Sequence, residues 1–182
     1  MKDIYPPIAN IFQFLELPTL SEEDSELMFR KALKSISLHY KEDALEMMVK
    51  HSGDFPLLLH EIGEAVYWCD KDGILDKKDV IDGLIVAADS LGSKQFRHLL
   101  YKRIRNPVYR KILFQLAKMP SQTIITTKLL QSFFSNPKKD KMSAFVKRMV
   151  FLNVFKHVAP GSYRFSSELL RLYLLLEYIK ES

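Results

Sequence analysis

From Ser21 onward, apolar residues recur every three or four positions, the spacing of one buried helical face. Ser21 to Asp24 reads as a capping box with acids in the first turn, and Leu27, Phe29, Ala32, Leu33 and Ile36 follow. A second helix is expected from about Lys41 to Lys50, with Gly53 as a left-handed stop. A third opens on Pro56, a first-turn proline, carries Leu59, Ile62, Ala65 and Val66, and ends by Asp70. A fourth, opened by Asp76 or Asp79, carries Val80, Leu84, Ala87, Ala88 and Leu91 and is expected to stop at Gly92.

Beyond Gly92 the pattern predicts a helix from Ser93 to about Arg103. Asn106 as cap and Pro107 at the first helical position then open a helix with Tyr109, Ile112, Leu113 and Leu116. The stretch "PSQTIITT" breaks it, and Thr126 or Thr127 caps a short helix through Phe134. After the loop "SNPKKDK", Met142, Phe145, Val146, Met149 and Leu152 mark another amphipathic helix. Two short strands are expected around Pro160-Gly161, and a last helix from near Ser167. That helix, "ELLRLYLLLEYI", is apolar nearly all round, so it needs burial on more than one side or a partner.

The expected fold is therefore mainly α: a four-helix bundle over residues 1–92, then a winged helix-turn-helix over 93–182, with 93–105 as a connecting helix. No internal repeat and no low-complexity tract interrupts it.

Charge divides the chain at the same place. Residues 1–90 hold 9 Lys+Arg against 18 Asp+Glu, net −9, and residues 91–182 hold 18 against 4, net +14. A basic half behind an acidic one suggests two modules, the second suited to a polyanion, although a solvated lysine-rich surface gives the same count. Lys138, Lys139 and Lys141 precede the third helix of the basic half, Lys147 and Arg148 lie along it, and Lys156 and Arg164 lie in the hairpin. These seven are the candidate contacts to DNA phosphates; the helix lacks an Asn or Gln placed for base readout. A single cysteine, Cys69, allows no internal disulfide and points to a reducing compartment, the cytoplasm by default. No run is apolar and long enough to span a membrane, and "MKDIYPP" lacks the apolar core of a signal peptide.

Several patterns imitate catalytic or metal sites. "HEIGE" places His60 and Glu64 on one helical face, but Glu64 stands where a zinc peptidase needs its second histidine. "DKDGILDKKD" resembles a calcium loop, yet Trp68 occupies the first ligand position and Asp79 the last. A helix stop, a turn and an N-cap explain those residues without a metal. No glycine-rich phosphate loop, paired carboxylates or serine triad can be assembled, so catalysis by these residues alone is not expected.

Four stretches, "FLELPTLSEED", "SGDFPLLL", "DKKDVIDGLIVAA" and "GSYRFSSELLRLYL", make the chain resemble the C-terminal region of AAA+ and STAND-type ATPases, a four-helix lid followed by a winged helix. Ser52 to Leu59 is similar to the Gly-x-Pro motif of NB-ARC proteins, which implies nucleotide-facing roles for Gly53 and Pro56, with Pro56 against the base. Initiator-type relatives carry a γ-phosphate-sensing arginine where Pro56 stands, so the proline favours the STAND type. The histidine that NB-ARC winged helices offer to ADP corresponds to about Ser166 or Ser167, a departure from the family pattern. Walker A and Walker B motifs do not occur in these 182 residues, so no cofactor is expected unless a P-loop core elsewhere supplies ATP or ADP. The implied function is a non-catalytic module that binds duplex DNA; the alternative is a protein-interaction or autoregulatory module that contacts an ATPase core or a partner through its last helix.

Overall fold

A computed structural model describes residues 20–52, 56–134 and 139–181, with backbone alone for Lys139. Gly53, Lys138 and the stretch before Leu20 lie outside the described residues.

Helix α1 (Glu22–Ser35) begins at the expected capping box, in which Asp24 N donates to Ser21 Oγ at 3.0 Å and Ser21 N to Asp24 Oδ2 at 3.3 Å. After β1 (His39–Tyr40), α2 (Glu42–Ser52) and α3 (Pro56–Cys69) follow, and then β2 (Ile74–Leu75), which pairs with β1 in parallel. The acids of the calcium-like loop make turn contacts: Gly73 N donates to Asp70 Oδ2 at 3.1 Å and Ile74 N to Asp72 Oδ1 at 3.0 Å. Asp76 caps α4 (Lys77–Leu91), accepting from Lys78 N at 2.8 Å. Phe29, Leu45, Met48, Ile62, Val66, Val80, Leu84 and Ala88 fill the space between the four helices.

Gly92 does not end the fourth helix. Its backbone stays right-handed (φ −54°), and the chain winds on through two π-helical turns, Gly92–Phe96 and Leu99–Arg103. Glycine is needed there for space rather than for a left-handed turn, because a Cβ would lie 2.1 Å from the Tyr173 ring. A glycine after an apolar run looks the same in sequence whether it stops a helix or admits a neighbour.

Asn106 Oδ1 accepts from Val108 N at 2.9 Å and caps α5 (Pro107–Ala117). Next come β3 (Ile125–Thr126), α6 (Thr127–Gln131), α7 (Lys139–Phe151), β4 (Phe155–Ala159), β5 (Ser162–Phe165) and α8 (Glu168–Glu181). The three strands form an antiparallel sheet in the order β3-β5-β4. The β4–β5 hairpin lies where the sequence placed it, turning at Pro160-Gly161 with Gly161 at φ 70°. β3 was legible only as a break, since two residues are too few to show a period.

The buried apolar residues form two clusters, and α8 serves both. Leu169 joins the first, with Leu172 and Leu176 against it; Leu170, Tyr173 and Leu174 join the second. This explains a helix apolar nearly all round: its faces are covered by the two clusters, and of its apolar side chains Ile179 alone is exposed. Arg171, 9% exposed, lies between them. Its Nε donates to Glu168 Oε1 at 2.6 Å, and its Nη1 donates to Ala117 O at 2.6 Å and Met119 O at 3.0 Å, so it closes the carbonyl end of α5.

Candidate nucleic-acid interface

The inner face of α7 is fixed by aromatic packing. Phe145 is fully buried and meets Tyr109, Phe134 and Phe155 edge-on, at centroid distances of 5.0, 6.0 and 5.8 Å. Met142, Val146 and Met149 complete that face, which leaves Lys141, Lys147 and Arg148 exposed on the other.

The hairpin cations are placed differently. Phe155 pairs with Phe165 and His157 with Tyr163, while the intervening pair is Lys156 with Arg164. Successive strand residues face opposite ways, and Phe155 touches Phe145 of α7, so Lys156 and Arg164 lie on the sheet face turned away from α7. The hairpin tip, His157 to Gly161, carries no lysine or arginine. Of the seven candidate residues, then, Lys141, Lys147 and Arg148 share a surface and Lys156 and Arg164 face another; Lys138 lies outside the described residues, and Lys139 is placed by its backbone at the start of α7.

A second group of cations lies beside Arg148. Lys102, Arg103, Arg105 and Arg148 line a concave surface of about 450 Å³ together with Ile104, Asn106 and Tyr109. Three carbonyls at the end of the second π-helical turn each accept from an arginine. Arg105 Nε donates to Lys102 O at 3.3 Å, Arg148 Nη2 to Arg103 O at 3.1 Å, and Arg110 Nη1 to Ile104 O at 3.2 Å. Arg148 also lies over the Phe151 ring, 5.5 Å from its centroid, and Phe151 is 72% exposed. Among the described residues no carboxylate pairs with Lys102, Arg103, Arg105, Lys147 or Arg148. The apolar pattern marks residues 93–105 only as a connecting helix; the sequence signal for this cation group is the charge in "YKRIR".

Lys156 and Arg164 belong to a cleft of about 210 Å³ between the first three helices and the sheet. Ser25, Lys50, His51, Ser52 and Leu58 form one wall, and Ser166, Ser167 and Arg171 stand opposite. The Nε of Arg164 is buried with no acceptor among the described residues, as is the Ser25 hydroxyl. Burial holds the His51 imidazole below its ordinary pKa; Lys50 and Arg171 push the same way, and Glu168 opposes them. Ser166 and Ser167, the positions matched to the family's ADP-contacting histidine, line this cleft, and Ser167 Oγ also accepts from Leu170 N at 3.4 Å. Pro56 is exposed in the first turn of α3, two residues before Leu58.

His60 and Glu64 are exposed on α3, and no group of three metal-ligating side chains occurs among the described residues. Burial, with Asp82 and Asp79 nearby, raises the Cys69 thiol above its ordinary pKa, the reverse of an activated thiolate. No helix among the described residues is long and apolar enough to cross a membrane.

No protein-family model and no curated protein matches this chain. Its fold is similar to part of a solved structure, the Walker-type ATPase of Pyrococcus abyssi, at 14% identity and a TM-score of 0.64. That match covers 86% of this chain and 42% of the ATPase, so the chain spans about two-fifths of the length of the protein it resembles. RuvB of Thermotoga maritima, a Holliday junction branch migration motor, also aligns, with 15% identity, a TM-score of 0.42, and 87% and 51% of the two chains covered.

Proposed function

We propose that this chain is the lid and winged helix of an AAA+/STAND-type ATPase, cytoplasmic and without catalysis of its own, and that it binds duplex DNA through its basic half. The order of α5, β3, α6, α7, β4 and β5, with β3 joining the hairpin on the β5 side, supports the winged-helix reading. In that arrangement α7 is the helix offered to a groove.

One observation carries the choice of partner. Residues 92–167 contain 16 Lys+Arg and one acid, Asp140, and α7 holds Lys141, Lys147 and Arg148 on its solvent face. A surface so poor in carboxylates lacks internal counter-charge, and duplex DNA supplies a dense array of it. The test is fluorescence anisotropy with a mixed-sequence duplex over a salt series. The wild-type chain is expected to bind with a steep negative salt slope, and Lys147→Ala with Arg148→Ala to weaken binding and lower the slope by about 2. Absence of binding at low ionic strength, or binding indifferent to salt, refutes the reading.

The cleft between bundle and sheet favours a second reading, an autoregulatory module. There the positions that the family resemblance assigns to nucleotide contact, Ser166 and Ser167, face Ser52 and Leu58, which flank the Gly-x-Pro motif. A P-loop core supplied elsewhere would dock on this side. A core-dependent complex whose affinity changes between ADP and ATP, in a chain that ignores duplex DNA, would select this reading over the first.

A further inference from the structure

Resting on the duplex-DNA reading, we infer that the second clamp on the DNA backbone is the end of the π-helical connector, Lys102, Arg103 and Arg105, and that the β4–β5 hairpin is not the clamp. A winged helix that grips phosphates on both sides of its groove-facing helix needs cations beside that helix. Here the hairpin cannot supply them: its tip carries none, and Lys156 and Arg164 face away from α7. The connector does. The Arg148 guanidinium donates to Arg103 O, which joins the connector to the solvent face of α7.

The local backbone explains why these side chains point outward. Ile104, 3% exposed, anchors the chain in the second core cluster, and Lys102, Arg103 and Arg105 on either side of it are exposed. The π-helical turn ends with Ile104 N donating to Leu99 O at 3.0 Å, which leaves the next carbonyls to be capped by arginines. Capping alone would be a sufficient structural role for Arg105, Arg110 and Arg148. It does not account for Lys102 and Arg103, whose side chains cap nothing and have no carboxylate partner among the described residues. Capping also uses few of the five donors on each guanidinium and holds the group in place, so binding a phosphate costs little further ordering. Four cations share one concave surface, and the counter-charge it lacks is an anion.

Lys102→Ala with Arg103→Ala is the clean test, because it removes two charges and no capping bond. Lys31→Ala with Lys34→Ala on α1 is the control, since both are exposed and the net charge changes equally. Binding of a 20-base-pair duplex is measured by anisotropy between 50 and 200 mM salt, and circular dichroism confirms that each variant is folded. The connector pair is expected to lower the salt slope by about 1.8, roughly a 12-fold smaller loss of affinity across that range, and the control pair to leave it unchanged. A wild-type slope in the connector pair, or an equal reduction in the control pair, overturns the inference while leaving the DNA reading intact. Absence of wild-type binding overturns both.

Discussion

Gly83 and Gly63 sit on neighbouring helices, and the same substitution at each is expected to act with opposite sign. A Cβ at Gly63 would lie 3.5 Å from Phe29 Cε1, an ordinary contact. Gly63→Ala therefore gains helix propensity of about 1 kcal/mol with little cost in packing. A Cβ at Gly83 would lie 2.5 Å from Val66 Cγ2, 2.7 Å from Val66 Cα and 2.8 Å from Val66 N. The methyl group can rotate away, but the backbone atoms cannot. Reaching ordinary contact requires α3 and α4 to part by about 0.7 Å, enough to forfeit a quarter or more of the dispersion attraction across the seam. That seam buries Ile62, Val66, Val80, Leu84 and Ala87. Overpacking costs about 3 kcal/mol at the upper end of its usual range, so Gly83→Ala is expected to be destabilised by about 2 kcal/mol net. In a chain of this length the melting temperature should fall by roughly 4–8 °C for Gly83→Ala and rise by roughly 2–4 °C for Gly63→Ala. Thermal melts followed by far-ultraviolet circular dichroism measure both. A Gly83→Ala protein as stable as wild type would show that the close approach of α3 and α4 is not what requires glycine.

Two further outcomes follow from the cleft between bundle and sheet. Because the folded pKa of His51 lies below its unfolded value of about 6.5, the unfolded chain takes up the proton first, and stability falls as the pH drops below about 6.5. Denaturant midpoints at pH 7.5 and 5.5 should differ less for His51→Gln than for wild type; an unchanged difference would place the effect on another group. Glu168→Gln leaves the buried Arg171 guanidinium without its carboxylate and is expected to cost about 3 kcal/mol. In a double-mutant cycle with Arg171→Met the two losses should fall short of additive by 1 kcal/mol or more, and simple additivity would show that the pair is not coupled.

Helix starts were the most legible features of the chain, because each is fixed by local chemistry. Ser21 with Asp24 and Asp76 with Asp79 bond to each other across the first turn, and Asn106, ahead of Pro107, caps Val108 N, each at the helix start its sequence implies. Helix ends were less legible. Gly92 has the sequence signature of a stop, yet the helix runs through it, because its constraint comes from Tyr173, 81 positions later in the chain. The last helix shows the same division. Its all-round apolarity gave the need for burial, but not that two separate clusters would meet it.

The candidate interface divides along the same physical line. Charge is a property of composition, so the basic half was visible at once; direction is a property of the fold. Lys156 and Arg164 are one residue out of phase with Phe155 and Phe165, and in a strand that single step moves a side chain to the opposite face of the sheet. Lys147 and Arg148 needed no such information, because their positions relative to Met142, Phe145 and Met149 already put them on the solvent side of a helix. The connector arginines needed it most. The carbonyls that Arg105, Arg110 and Arg148 cap are free only because the helix ends in a π-helical turn, with Arg148 brought across from 45 residues away to close one of them. A cation that caps a helix and one that awaits a phosphate are identical in sequence. Only the count of donors left over, and the absence of a nearby carboxylate among the described residues, separates the two roles.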